Sequence, residues 1–353
     1  GVVMVYTGSR ATAASAGLSS HYFLDRQAFF VFLGVIVMVV LAAIDYRRIE
    51  LVGMVIYALS ILGLLAVFAI GHSAQGAGRW INVGPIEVQP SEFAIVGLIV
   101  ALATFIARRI DGLTWKDIIK MLVMAVVPMG LVLVQPDLGT AIIMAVILVV
   151  MLAVAGLPVR TLILLAIGAG VALFVVVKVG GILHGYQSSR LTSFLHQDSK
   201  SKNPLIQQAI YNVRQSKLAI ANGGVKGQGL GHGVQTNNGY VPEQQTDFIF
   251  SAVGEQLGFI GSTLLLALLA TVSWRLIRRA PLARYTFGRM LCAGAFAFIA
   301  FSTFQNAGMA MGLMPVAGVP LPLVSYGGSA AICFFAVIGI ALSVGRNRGR
   351  SAF

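Results

Sequence analysis

Apolar runs long enough to cross a lipid bilayer punctuate this chain, and that one feature limits it to very few folds. A helix needs about 20 consecutive apolar residues to span the hydrocarbon core. Runs of this kind cover residues 28–45, 51–70, 91–107, 118–135, 139–156, 161–178, 247–273, 285–311 and 327–345. In lipid every backbone N–H and C=O needs an internal partner, so such segments are helices. The opening stretch GVVMVYTG is too short to span and is read as the outer end of a further helix whose beginning precedes residue 1. The expectation is an all-α polytopic membrane protein of about ten transmembrane helices, forming a single transmembrane domain over 1–353.

Composition agrees, with 58% hydrophobic and 10% charged residues, against roughly a quarter charged in soluble domains. The net charge of +13 does not indicate nucleic acid, because the basic residues cluster in short loops between apolar runs. Placing the loops around Arg47, Arg108, Lys116, Arg160, Arg278, Arg284 and Arg346 in the cytoplasm puts most of the Lys and Arg there, with both termini inside. Cys292 and Cys333 lie within apolar runs without metal-ligand neighbours, which excludes a disulfide framework.

Residues 179–246, between the seventh and eighth expected helices, are too polar to span and too long for a connector. This large extracytoplasmic loop is expected to hold an amphipathic helix at the membrane interface. In NPLIQQAIYNVRQSKLAI, Leu205, Ile206, Ala209, Ile210 and Val213 recur at helical spacing, and Arg214 and Lys217 are three apart. The glycine-rich GGVKGQGLGHG that follows lacks the strand and helix context of a nucleotide motif.

With only twelve acidic residues, each can be weighed. Asp247, with Thr246, opens the helix FIFSAVGEQLGF, where a carboxylate can cap free amides or act as a base. Glu92 follows Pro90 at another helix start, and Asp137 in QPDLGT has the same character. Glu255 lies inside a helix, where a buried acid needs a partner or a function. Arg79 beside Trp80 reads either as an interfacial belt pair or as a cation for an anionic headgroup. Segment 314–329, rich in Pro and Gly, cannot be plain helix. No zinc spacing or serine-hydrolase arrangement is present in the sequence.

Taken in order, GRWINVGPIEVQPSEF, QPDLGTA, QSKLAIANGGVKGQGLG, VPEQQTDFIFSAVGEQLGFIG and GLMPVAGVPLPLVSYGGS resemble the SEDS family of bacterial cell-wall glycosyltransferases. The QTDF and SYGGS segments are more similar to its elongation branch, RodA, than to its division branch, FtsW. The resemblance implies polymerisation of lipid II into β-1,4 glycan strands at the outer face of the cytoplasmic membrane. It also implies a class B penicillin-binding protein and elongation-complex membrane proteins as partners, with no nucleic acid. Asp247 is the implied catalytic residue, and Arg79, Trp80, Glu92, Arg214, Lys217, Thr246 and Ser325 the implied substrate contacts. Ile95 stands where family members carry a lysine. The pyrophosphate leaving group implies a divalent cation, Mg or Mn, and no organic cofactor. A lipid flippase and a non-catalytic scaffold for a partner transferase are the rival readings.

Overall fold

The computed structural model describes residues 1–74, 77–84, 86–109, 112–165, 167–168, 193–194 and 203–346. The expected span at 161–178 and the start of the long loop lie largely outside them. Among the described residues, seven helices are long and apolar enough to cross a membrane. These belong to α2 (Tyr22–Ala43), α3 (Tyr46–Ile70), α4 (Pro90–Ala107), α5 (Trp115–Val134), α9 (Ile249–Arg279), α10 (Thr286–Ala310) and α11 (Gly328–Arg346). Helix α6 (Leu138–Val154) is apolar but shorter, and α1 (Val2–Ser15) has 14 residues. Two further helices, α7 (Pro204–Gly223) and the single turn α8 (Val234–Asn237), lie in the polar segment. The chain is therefore an all-α multi-pass membrane protein in its spans. Chain packing divides it into two compact units, one of Gly1–Phe32, Leu183–Thr271 and Ser302–Ala331, the other of the remaining segments.

In the second unit α4 is central. It is apolar all round, as a helix surrounded by protein should be, and 78% of its most apolar window is buried, against 17% for α2. Apolar side chains gain little from leaving lipid for protein, so helices here associate by close contact of small residues and by hydrogen bonds. Gly53 of α3 lies against Thr104 of α4, and Gly97 of α4 against Ser60 of α3. Pro128 inside α5 has no N–H to offer the carbonyl four residues back. Tyr57 of α3 donates its hydroxyl to that carbonyl, on Met124, at 2.7 Å.

The segment after α3 is an antiparallel meander of β1 (His72–Ala74), β2 (Ala77–Val83) and β3 (Ile86–Val88). Its second connection has Gly84 at φ 62°, a left-handed conformation glycine adopts at little cost. Trp80 pairs with His72, and Asn82 with Glu87, across the ladder. The hairpin pattern, INV and IEV on either side of Gly-Pro, was present in the sequence.

In the first unit α7 is the helix expected in the polar segment, and α9 carries a break. The buried face of α7 is Val213, Ser216, Ala219 and Gly223; of the apolar stripe, Leu205 is 40% exposed, Ile206, Ala209 and Ile210 are half-buried and Val213 is buried. Its C-terminal half docks on protein: Ser216 Oγ donates to the Ala310 carbonyl at 2.7 Å, and Gly223 abuts Gly254. Helix α9 breaks at Gly258 (φ 67°, ψ −165°). In an unbroken helix Phe259 and Ile260 would donate to Glu255 and Gln256. They donate instead to the carbonyls of Gly224 and Val225, while the Glu255 and Gln256 carbonyls accept from Gln228 and Gly229, all at 2.9–3.1 Å. The glycine-rich segment is thus a clasp that completes the broken helix.

Gly227 sits at φ 81°, and a Cβ there would collide with the Gln256 carbonyl. Gly17 has φ 67° but open space around it. Gly227→Ala should therefore cost about 3 kcal/mol or more, adding the collision to the left-handed strain, and Gly17→Ala about 1–2 kcal/mol. Thermal unfolding of the two purified variants in detergent checks the order.

Candidate functional site

Asp247 belongs to a tight turn that precedes α9. Glu243 adopts φ 52°, and its carbonyl accepts from the amides of Thr246, Asp247 and Phe248. Three amides converging on one carbonyl fold residues 243–248 back on themselves. Segment 314–327 then fixes this turn from outside. Ser325 Oγ donates to the Thr246 carbonyl at 2.7 Å and accepts from the Leu321 amide at 2.8 Å. Tyr326 donates its amide to the Gln245 carbonyl at 2.8 Å. Asn306 of α10, fully buried, donates to the carbonyls of Asp247 and Val319, both at 2.8 Å. Gln27 of α2 donates to the Ser325 carbonyl and accepts from the Gly327 amide. The Asp247 side chain is partly accessible, whereas its backbone is held on both sides.

The irregular Pro- and Gly-rich segment has its polar backbone satisfied by these contacts, as non-helical chain within a membrane protein must. Gln305 of α10 adds a bond to the Pro315 carbonyl at 2.9 Å. Arg214 and Lys217 lie on the exposed face of α7.

In the other unit, Asp137 is buried and caps α6, its Oδ1 accepting from the Thr140 amide. Its Oδ2 accepts from the Thr140 hydroxyl at 2.9 Å, Gln89 Nε2 at 3.1 Å and Ser91 Oγ at 3.2 Å. The carboxylate therefore ties the start of α6 to the start of α4. Arg79 of β2 donates through Nε to the Gln135 carbonyl at 3.0 Å and through Nη2 to the Pro136 carbonyl. A guanidinium there satisfies carbonyls that α5 leaves unpaired at its C-terminal end, and it opposes the negative end of the helix dipole. Glu92, in the first turn of α4, is 4% exposed, and its Oε2 has no hydrogen-bond partner. Ile95 is completely buried, so no cation occupies that position.

A family model for the FtsW, RodA and SpoVE proteins, described as "Cell cycle protein", matches residues 1–350. The chain belongs to this family. It is 38% identical to the peptidoglycan glycosyltransferase MrdB of Escherichia coli K12, over 92% of this chain and 86% of that one. It is also 36% identical to the probable peptidoglycan glycosyltransferase FtsW of Geobacter sulfurreducens, over 98% and 91%. Among solved structures it superposes on a chain from "Structural coordination of polymerization and crosslinking by a peptidoglycan synthase complex", with TM-score 0.79, 30% identity and coverage of 99% and 97%. The rod shape determining protein RodA of Thermus thermophilus matches with TM-score 0.68 and 28% identity, over 99% and 96%.

For this SEDS chain, the structure joins Asp247, Thr246 and Ser325 in one network and places Arg79 on a helix end. Trp80 lies on the adjacent position of β2. The helix-start reading of Asp137 holds, since it caps α6, whereas Asn306, Gln27, Gln245 and the Gln89 and Ser91 partners of Asp137 had no place in the sequence reading. A buried amide within an apolar helix was the available signal, since such groups persist in membranes only with partners. Two substitutions separate the roles of the buried acids. Glu92→Gln keeps the side-chain volume and removes the ability to ionise, but it brings amide N–H donors to a place where Oε2 has no partner, so the two effects offset and the variant should unfold within about 1 kcal/mol of wild type. Asp137→Ala removes a cap and strands Gln89, Ser91 and Thr140, and should lose about 2 kcal/mol or more, measurable by thermal or denaturant unfolding in detergent.

Proposed function

We propose that this chain is a peptidoglycan glycosyltransferase that polymerises lipid II, with Asp247 as general base. The observation that carries the assignment of the base is the turn at 243–248: a carboxylate with an accessible side chain, on backbone fixed by Ser325, Asn306 and Tyr326. Relatives named peptidoglycan glycosyltransferase support the reaction.

One carboxylate suffices for this chemistry. The acceptor sugar's 4-hydroxyl attacks the anomeric carbon of the donor and loses its proton to the Asp247 carboxylate as the new C–O bond forms. The bond from that carbon to the pyrophosphate oxygen breaks, and the lipid pyrophosphate departs as an anion, needing no acid of the kind a glycosidase supplies. A single displacement inverts the centre, so an α-linked donor yields a β-1,4 strand. Developing charge on the leaving group calls for cations. On the unit that carries Asp247, Arg214 and Lys217 are proposed for that part. A divalent ion, Mg or Mn, would serve the same end. Among the described residues no group of three or more His, Cys, Asp or Glu is placed to hold one, so no step is routed through it here.

The reading extends to an active site on the outer face of the cytoplasmic membrane, termini inside, and a role in elongation. The distribution of Lys and Arg supports that orientation. A structural relative from a peptidoglycan synthase complex supports a partner that crosslinks, for which we propose a class B penicillin-binding protein.

Asp247→Asn keeps the shape of the side chain and removes its basicity. In complex with a partner whose transpeptidase is inactivated, and supplied with lipid II, the variant should make glycan at least about 100-fold more slowly than wild type. Equal rates would remove Asp247 as the base. No polymer from either protein would favour a scaffold or a flippase.

A further inference from the structure

Glu255 is completely buried in α9 and takes no direct part in the chemistry above. Its carboxylate accepts three hydrogen bonds: from the Gln235 amide at 2.6 Å, the Thr236 amide at 3.0 Å and the Thr236 hydroxyl at 2.6 Å. The chain of contacts does not stop there. Thr236 Oγ1 accepts from Gln244 Nε2 at 3.1 Å, and the same amide nitrogen donates to Ser251 Oγ at 3.1 Å. Ser251 in turn donates its hydroxyl to the Phe248 carbonyl at 2.7 Å. Thr236, Gln244 and Ser251 are all at least 98% buried.

The polarity of this chain is fixed at both ends. An ionised carboxylate only accepts, and so does a carbonyl. The Thr236 hydrogen must therefore point to Glu255 and the Ser251 hydrogen to Phe248. That leaves two oxygens to be supplied with hydrogens by one group, and the Gln244 amide has two. Each hydroxyl and amide hydrogen along the side-chain path from Glu255 to Phe248 thus has an acceptor. Gln244 belongs to the turn that carries Asp247, and Phe248 is its neighbour.

We infer that Glu255 is a positioning residue for the reaction: through Thr236, Gln244 and Ser251 it sets the turn that aims Asp247 at the acceptor hydroxyl. The inference rests on the reading of Asp247 as the base. A charged anchor suits the task, because hydrogen bonds to a buried carboxylate are stronger than neutral ones and hold the direction of the whole chain. Glu255→Gln would place an N–H against one of its donors and break the polarity at its source. Thr236→Val removes the link but leaves the two backbone amides on Glu255.

The test compares wild type, Glu255→Gln, Thr236→Val, Thr236→Ser and Asp247→Asn, each in complex with the transpeptidase-inactive partner. Initial rates of glycan synthesis are measured across lipid II concentrations and normalised to folded complex. Thr236→Val and Glu255→Gln should lower kcat about 10- to 100-fold with KM within about twofold, and Thr236→Ser should recover most of the loss. If Glu255→Gln does not fold, Thr236→Val decides. Wild-type kcat in Thr236→Val, a loss expressed only in KM, or a loss that serine does not recover would overturn the positioning role, and an inactive Asp247→Asn would then leave the base in place. An Asp247→Asn variant as fast as wild type would remove the base and this inference with it.

Discussion

Backbone groups without water to bind them are the constraint on which this structure depends. A helix in lipid satisfies itself, so the places that need explanation are those where a helix stops being one. Each such place has a dedicated partner. Tyr57 supplies the carbonyl that Pro128 orphans in α5. Arg79 covers the carbonyls that follow α5. Ser325 accepts from the Leu321 amide, and Asn306 and Gln27 pair with Val319 and Gly327, which satisfies the non-helical chain between α10 and α11. Around Gly258 the glycine-rich segment takes over the ladder itself. The polar side chains within the apolar segments are few, and many of them are spent on such repairs.

The same accounting bears on the proposed base. Irregular backbone is costly in a membrane, yet a carboxylate that is to meet a substrate, as proposed for Asp247, cannot be carried in the middle of a buried helix. The turn at Glu243 solves this by ending the polar segment one residue before α9 and pinning Asp247 from α10 and from the Pro- and Gly-rich segment. Glu255, eight residues further on, reaches the other side of the same turn through the side chains of Thr236, Gln244 and Ser251.

The sequence was legible where one physical rule operated alone. Apolar length located the helices to within a few residues, because in lipid it decides the matter. Asp247 was identifiable as a carboxylate at a helix start, although the helix begins at Ile249 rather than at the aspartate itself. The meander at 72–88 was not read, because its strands are of three and seven residues and apolar length, the rule that finds helices in lipid, says nothing of them. The stripe on α7 was legible as far as Val213, which is buried, but periodicity marks large apolar residues and does not record the small ones, Ser216, Ala219 and Gly223, through which the rest of the helix packs. The role of the glycine-rich segment depended on Gly258, thirty residues away, and pairing at that distance leaves no local trace. Glu255 was correctly singled out as needing a partner, but its partners are the first amides of α8, a single helical turn.

The clasp at Gly258 has one further property. Gly224 and Gln228, and Val225 and Gly229, are four residues apart, the spacing of a helical hydrogen bond, and each pair is interleaved between a donor and an acceptor of α9. The segment, though not itself helical, thus stands in for the missing rungs of α9 in space but not in sequence. Splicing of this kind counts residues: adding or removing one between 224 and 229 would put both pairs out of step at once. The loop and the helix therefore share a single reading frame of hydrogen bonds, and neither can change length unless the other changes with it.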